Sequence, residues 1–187
     1  MTKHLHTFSA FICQTRFDDI PTGTVSRAKL IIADCVGAIV GGSAEPEILA
    51  FTSSIKSSGT SRILGGSSTT DPQTASLING TAGTVLEMDE GHQFARGHPG
   101  MHVFPALLAA AERATETISG EDFLTAFIIG YDIAARIGIA TSLNGNMHPH
   151  GTWGVVGAAA ALGALNGLDE VQLAELLNIA SSLTLAT

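Results

Sequence analysis

The feature that most constrains the fold is an apolar stripe at helical spacing between residues 119 and 141. Apolar or small side chains recur there every three or four positions, at Phe123, Ala126, Phe127, Gly130, Ile133, Ala134, Ile137 and Gly138. Ser119, with Asp122 three residues later, has the pattern of a capping box that starts a helix. Because such a stripe has to be buried and contains small residues, it predicts a helix that packs closely against other helices.

Most of the remaining chain shows the same period. Further helices are predicted over residues 4–16, 22–40, 46–57, 72–86, 105–117 and 154–165, with a last one that begins after Asp169. The run from Leu30 to Val40 is apolar nearly all round, which predicts a buried central helix. Residues 57–72 are rich in Ser, Thr and Gly and are predicted to form a surface loop, with one strand-like piece at 62–64. No longer strand pattern and no internal repeat occurs. We therefore predict an all-α fold, a bundle-like helical domain over residues 1–187.

Composition and charge exclude several classes of function. The net charge is −8 and lysine occurs only at positions 3, 29 and 56, so no basic surface for nucleic acid is predicted. The apolar runs are interrupted before the roughly 20 residues that cross a bilayer, and the N-terminus lacks the pattern of a signal peptide. We therefore predict no membrane partner. Cys13 and Cys35 lie in apolar helical contexts, which is typical of free buried thiols, and we predict a cytoplasmic protein.

The last predicted helix bears on the extent of the chain. Its apolar positions still recur at Leu183 and Leu185, and no C-capping residue follows before Thr187. We therefore predict that the chain is truncated within a larger helical domain, or that a partner covers the end of this helix.

Titratable residues are concentrated in one segment that follows the helix predicted over residues 72–86. The sixteen residues from 87 to 102 include Glu87, Asp89, Glu90, His92, Arg96, His98 and His102. Glu87 and Asp89 come after a predicted helix C-terminus, where the helix macrodipole disfavours negative charge. Two interpretations are open: a solvated acidic loop, or a carboxylate base and a proton-sharing pair for acid–base catalysis.

Two His-Pro sequences precede predicted helix starts. In His98-Pro-Gly100 the proline fixes the backbone and the glycine permits a sharp turn, close to helical N–H groups that would bind a carboxylate or an oxyanion. His148-Pro-His150 has the same pattern. We predict His98 and His148 as acid–base residues, and the alternative is a turn whose histidine is merely exposed. Trp153 is interpreted as a packing residue.

Positive charge for an anionic substrate is scarce in this acidic chain. His92, Arg96 and His150 are the predicted substrate-binding residues, although His150 has the alternative role of holding its loop. A metal site is the competing interpretation. However, no H-E-x-x-H sequence or cysteine pair is present, and histidines two apart across a proline match no common zinc spacing. We therefore predict no metal and no other cofactor.

Several of these motifs together resemble the MmgE/PrpD family. The matching segments are Asn79-Gly-Thr-Ala82 with Leu86-Glu-Met-Asp-Glu90, His98-Pro-Gly100, Gly130-Tyr-Asp-Ile-Ala-Ala-Arg-Ile-Gly138, His148-Pro-His-Gly-Thr-Trp-Gly154 and Gly167-Leu-Asp169. They occur in the family's order and cover nearly the whole chain. The resemblance implies the first part of a large helical domain, in chains that dimerise and close a smaller lid domain over the site.

The resemblance also assigns roles. The family's first motif acid falls on Glu87, which replaces the usual Asp, and its two catalytic histidines fall on His98 and His148. The family's lysine and its lid would lie beyond Thr187. The implied activity is that of a lyase like 2-methylcitrate dehydratase, which acts on a di- or tricarboxylic acid by metal-independent proton abstraction alpha to a carboxylate. Epimerase and decarboxylase activities of the same family are alternatives, and so is a non-catalytic helical fragment or subunit. The expected partners are the small-molecule substrate and a second copy of the chain.

Overall fold

A computed structural model describes residues 3–143 and 150–184 of the chain. In these residues eight α-helices follow one another in the order α1 Lys3–Gln14, α2 Thr22–Gly42, α3 Pro46–Ser54, α4 Pro72–Thr84, α5 Pro99–Arg113, α6 Gly120–Ala140, α7 His150–Leu165 and α8 Glu170–Ser182. A 3-10 helix spans Phe17–Asp19, and the two-residue strands β1 Ser61–Arg62 and β2 Thr69–Thr70 pair antiparallel. The predicted all-α class is confirmed.

Helices α6 and α7 form the centre of the domain, and they approach each other through small residues. A Cβ placed on Gly130 would lie 2.7 Å from the Cβ of Ala161 and 2.7 Å from the carbonyl oxygen of Gly157. A Cβ on Gly157 would lie 2.5 Å from the Cβ of Ala134. Neither glycine has room for a side chain, so the stripe of small residues in α6 is the surface that contacts α7.

The other helices pack around this pair. Helix α5 contacts α4, α6 and α7 and buries Val103 and Leu107 against Phe127 of α6. On the other side, α1 and α8 cover α7, with Ile12 and Leu173 buried at this contact. The result is a core that places the N-termini of α5 and α7 near each other.

Three of the described helix starts have a side-chain cap, and those at Ser119 and Asp169 were predicted from the sequence. The side chain of Ser119 accepts a hydrogen bond from the backbone N–H of Asp122, at 3.0 Å. The carboxylate of Asp169 accepts from two N–H groups of α8 and belongs to a complete capping box. Asp71 accepts from the N–H of Thr74 at the start of α4.

Helix α5 begins earlier than predicted. It starts at Pro99, and Pro105, the expected first-turn proline, lies inside it. Both prolines fit a helix start in the sequence, because proline is favoured at the first helical position. Helix α7 likewise begins at His150 rather than at Gly154.

The prediction of a buried α2 was wrong. Cys35 and Ile39 are buried, but Leu30 and Val40 are 63% and 45% exposed, and Asp34 is also exposed. An all-round apolar sequence shows no preferred face, so it could not indicate which side the rest of the domain would cover.

Helix α6 is the one described helix that is long and apolar enough to cross a membrane. Ala126, Phe127, Ile133 and Ala134 are among its buried residues. Its apolar composition is explained by this burial against α5 and α7.

Two Gly-to-Ala substitutions should have opposite effects on stability, because one glycine lies in the close α6–α7 contact and the other has free space around it. Gly130→Ala inserts a methyl group where no space exists and should lower the free energy of unfolding by about 1–3 kcal/mol. Gly37→Ala, in the middle of α2, meets no atom within 4 Å and should raise it by roughly 0.4–1 kcal/mol. Urea unfolding of both variants measures the two changes. A neutral Gly130→Ala would contradict the close packing.

Candidate active site

The loop between α4 and α5 folds back on itself like a short hairpin. The N–H of His92 donates to the carbonyl of Gly97 at 2.8 Å, and the N–H of Arg96 donates to the carbonyl of His92 at 2.9 Å. Glu87 and Arg96 have positive φ angles of 51° and 54°, a conformation that costs a residue with a Cβ about 1 kcal/mol or more. These turns bring Asp89 and His98, nine positions apart in the sequence, to the base of the hairpin.

Asp89 and His98 form a buried acid–imidazole pair. The Oδ2 atom of Asp89 lies 3.1 Å from Nδ1 of His98, and the two side chains are 2% and 24% exposed. The two atoms are not aligned for a hydrogen bond, and neither has another hydrogen-bond partner in the described part of the chain. Catalytic hydrogen bonds are often poorly aligned before substrate binds. A buried polar pair with unused bonding capacity, facing a cavity, is a candidate for acid–base chemistry.

Burial also controls the protonation of Asp89. Loss of solvent raises the pKa of this carboxyl above its ordinary value, and the charge of His98 opposes the rise. The negative charge of Glu87 adds to the increase. Asp89 is therefore biased toward holding a proton near His98, which is the arrangement of a proton-sharing pair.

His98 owes its position to the start of α5. It is the N-cap residue of this helix, and its carbonyl accepts the N–H of Met101 at 3.2 Å. Pro99 occupies the first helical position, where its missing N–H costs nothing. The imidazole is thus attached to a backbone that the helix and the proline both fix.

The start of α7 meets the first His-Pro sequence. The ring of His150 lies 4.8 Å from that of His98 and 5.3 Å from that of His102, measured between ring centroids. Trp153 is buried beside them, with its ring 5.4 Å from that of His102, as expected for a packing residue. A Cβ on Gly97 would lie 2.5 Å from Trp153 and 2.8 Å from His150. The start of α7 therefore packs directly on the hairpin. His148 lies outside the described residues.

The paired residues open into a cavity of about 550 Å³. Its walls come from α4, the hairpin loop, α5 and the start of α7, and its lining comprises Ser76, Leu77, Gly80, Thr81, Thr84, Glu87, Asp89, His98, Met101, His102, Pro105, Ala106 and His150. Among these lining residues there is no lysine or arginine, so in this part of the chain positive charge can come only from imidazoles and helix N-termini.

The hydroxyl groups of the α4 wall are committed to their own helix. Ser76, Thr81 and Thr84 donate to carbonyls three or four residues earlier in the chain. Their oxygen atoms remain able to accept hydrogen bonds but present no free hydrogen to a carboxylate. The α4 wall can therefore hold groups that donate, such as a protonated acid or a hydroxyl.

The other predicted site residues do not all face this cavity. Glu87 is exposed and lines it. His92 lines a separate cavity beside Tyr131, and its Nδ1 accepts the N–H of Ala95 at 3.1 Å. Arg96 is exposed, lines neither cavity, and donates to the carbonyl of Thr141 at 3.5 Å. The structure thus brings together Glu87, Asp89, His98 and His150.

Three residues near the pair were not predicted. His102 lines the cavity one turn after His98, a spacing that places both on one face of α5. Glu90 accepts a hydrogen bond from Tyr131 at 3.0 Å, a contact between distant segments that no local pattern indicates. The described residues contain no group of three ligands arranged for a metal ion.

The helices position a buried acid–imidazole pair at the edge of a cavity, an arrangement that can support acid–base chemistry. Residues 6–187 match the MmgE/PrpD N-terminal domain. The chain therefore belongs to the MmgE/PrpD family. The chain is 32% identical over 173 residues to a cis-aconitate decarboxylase of Aspergillus terreus. It is 29% identical over 171 residues to the cis-aconitate decarboxylase-like protein oryM of Aspergillus oryzae.

These matches cover most of this chain but a minor part of each relative. They include 87% and 85% of the chain, and 35% and 36% of the two relatives. The chain therefore spans about a third of the length of the curated relatives it matches.

The raised pKa of Asp89 predicts the pH dependence of stability. The folded protein holds this proton more tightly than the unfolded chain, so ionised Asp89 destabilises the fold, and the cost disappears as the pH falls through the raised pKa toward the ordinary 3.8. The free energy of unfolding of the wild type, relative to that of Asp89→Asn, should therefore rise as the pH is lowered from about 7 to about 4. Urea unfolding across this range measures the difference.

Asp71 serves as a control, because its pKa is shifted in the opposite direction to that of Asp89. Hydrogen bonds from Ser57 and Thr74 lower its pKa to about 2, so its contribution to stability is present above 3.8 and is lost as the pH falls through 2. The wild type should therefore lose stability relative to Asp71→Asn as the pH falls through this lower range. The same slope for both variants would contradict the assigned environments.

The positive φ of Glu87 predicts a difference in stability between two variants that both lack the carboxylate. Glu87→Gly relieves the left-handed conformation, whereas Glu87→Ala keeps the strain, so the glycine variant should be more stable than the alanine variant by about 1 kcal/mol. Thermal or urea unfolding compares them. Equal stabilities would contradict the left-handed assignment.

Proposed function

We propose that this chain carries the acid–base part of a lyase site that acts, without a metal ion, on an unsaturated tricarboxylate of the cis-aconitate type. The observation that carries the proposal is the buried Asp89–His98 pair, with its 3.1 Å separation, at the edge of a cavity. The family and the activity named for the Aspergillus terreus relative support it. The expected homodimer and the cytoplasmic location are part of the same proposal.

The reaction would be a decarboxylation coupled to a shift of the double bond. The C–C bond to one carboxylate breaks and CO₂ leaves, and the electron pair moves through the adjacent C=C bond toward a carbon that carries another carboxylate. A proton from His98 then forms the new C–H bond, and the imidazole takes up the proton that it shares with Asp89. The products are an unsaturated dicarboxylate and CO₂, and solvent returns the proton to the pair.

The cavity provides several features that favour an anionic substrate. Helices α5 and α7 both begin at its wall, at His98 and His150, and helix N-termini carry partial positive charge. His98, His102 and His150 can add charge by protonation. Stabilising the developing negative charge of the intermediate is the main electrostatic task of such a site.

A second candidate is dehydration of 2-methylcitrate or a related hydroxy acid. The motifs shared with the MmgE/PrpD family favour it equally, because dehydration also needs a proton transfer at a carbon next to a carboxylate. The pair would then take the proton, and an imidazole would protonate the leaving hydroxyl. Epimerisation differs only in that the proton returns to the same carbon.

Proton NMR in D₂O distinguishes these reactions. The chain is incubated with cis-aconitate, 2-methylcitrate, citrate or an epimerisable amino-dicarboxylate, and the spectra report decarboxylation, dehydration or deuterium exchange. We expect conversion or saturable binding of cis-aconitate, with chemical-shift changes at His98 and His150.

Replacement of the pair tests the assignment directly. His98→Ala should reduce turnover by at least about 10²-fold, since it removes the proton donor, and Asp89→Asn should also reduce it. His6→Gln, on the exposed face of α1 and outside the cavity, is the matched control and should leave activity unchanged. Wild-type turnover in His98→Ala would refute the role of the pair. Neither conversion nor binding of any substrate would favour the non-catalytic interpretation.

A further inference from the structure

Glu90 follows Asp89 in the chain but does not line the cavity into which the Asp89–His98 pair opens. One carboxylate oxygen, Oε1, accepts a short hydrogen bond from the backbone N–H of Gly100 in the first turn of α5. The other, Oε2, accepts from the hydroxyl of Tyr131 on α6 at 3.0 Å. A single half-buried carboxylate therefore joins the hairpin loop, the start of α5 and the central helix.

Three contacts join the segment from Asp89 to His92 to the segment from Gly97 to Gly100. Asp89 faces His98, Glu90 binds Gly100, and His92 is bridged to Gly97. Glu90 follows Asp89 directly in the chain, and Gly100 lies two residues after His98. The contact between Glu90 and Gly100 is therefore close in the chain to both members of the acid–imidazole pair.

The surroundings allow Glu90 little freedom. A Cβ on Gly100 would lie 2.7 Å from Oε1 of Glu90, 3.0 Å from Ile31 and 3.1 Å from the sulfur of Cys35. The first turn of α5 thus presses against α2 on one side and the carboxylate on the other. A side chain at position 100 would require Glu90, Ile31 and Cys35 to shift.

The electrostatic surroundings of Glu90 are those of a carboxylate held in place by hydrogen bonds. Burial raises the pKa of Glu90, while the hydrogen bonds from Gly100 and Tyr131 oppose the rise. Burial and the neighbouring Glu90 raise the pKa of Tyr131, so the phenol stays protonated and able to donate. The N-terminus of α5 also favours a negative group at this point.

We propose that Glu90 and Tyr131 are positioning residues of the site: the hydrogen-bonded chain from Tyr131 through Glu90 to Gly100 fixes the start of α5, and thereby the distance and orientation of His98 relative to Asp89. This inference deepens the proposed function and rests on it only for its kinetic consequence. Displacing a reacting group by about 1 Å costs on the order of 10²-fold in rate. The chain therefore has a means of holding the pair that is separate from the substrate cavity.

Two variants interrupt the hydrogen-bonded chain at different points. Tyr131→Phe removes only the hydroxyl and keeps the ring in the core. Glu90→Gln keeps an oxygen for Gly100 but removes the charge. Asp169→Asn is the matched control, because Asp169 is also a carboxylate that accepts hydrogen bonds at a helix N-terminus, and its helix α8 packs on α1 and α7.

The primary readout is the side-chain ¹⁵N NMR signals of His98 in the 187-residue chain without substrate, with His4 and His6 on α1 as internal references. We expect both site variants to shift the His98 signals while the references stay in place, and we expect Asp169→Asn to leave His98 unchanged. Unchanged His98 signals in folded Tyr131→Phe would overturn the proposal. So would a shift of equal size in Asp169→Asn, since general destabilisation would then explain the effect. If Glu90→Gln fails to fold, Tyr131→Phe decides.

Turnover supplies the second readout. Both site variants should lower kcat by up to about 10²-fold with a smaller change in KM, because they disturb the geometry of the pair and not the cavity wall. A change confined to KM would contradict positioning. Since the NMR readout needs no substrate, failure of the proposed reaction and failure of this inference give different results.

Discussion

The close approach of α6 and α7 is the contact on which the remaining architecture depends. Gly130 and Gly157 permit it, because neither position has room for a Cβ. Helix α6 carries Tyr131, which binds Glu90, and α7 begins with His150, which packs on His98. A wider separation of these two helices would move the anchor of the hairpin loop and the second histidine loop apart. Packing of small residues in the core is therefore also what assembles the site.

The site concentrates negative charge where a folded chain would ordinarily avoid it. Asp89 and Glu90 are adjacent, burial raises the pKa of both carboxyls, and the charge of Asp89 adds to the rise at Glu90. Their charge is balanced by His98, by the N–H of Gly100 and by the hydroxyl of Tyr131. Burial of two acids costs stability at neutral pH. Such a cost is commonly found where a group must exchange protons, because its pKa has to lie near the working pH.

Asp89 and Glu90 point in different directions and therefore make different contacts. Asp89 points toward the imidazole and the cavity, whereas Glu90 points into the domain and binds the backbone of α5. These opposite directions allow one Asp-Glu pair to make both contacts. His92 is separated from the site, since it faces a different cavity on the side of Tyr131.

The sequence by itself determined the helical class, most of the helices, the capped starts at Ser119 and Asp169, and the family. Those features follow from local hydrogen bonding and from the 3.6-residue period, which neighbouring residues express directly. The sequence also indicated the polar segment that contains Asp89 and His98, because titratable groups are rare elsewhere in the chain.

Only the tertiary structure decided which of these groups meet. It brought His150 to His98, joined Glu90 to Tyr131 across 41 positions, and directed His92 and Arg96 away from the cavity. It also determined which face of α2 is covered. The physical reason is that the direction of a side chain in a loop depends on a few backbone angles and on contacts with distant helices, and neither is encoded in the spacing of residues along the chain.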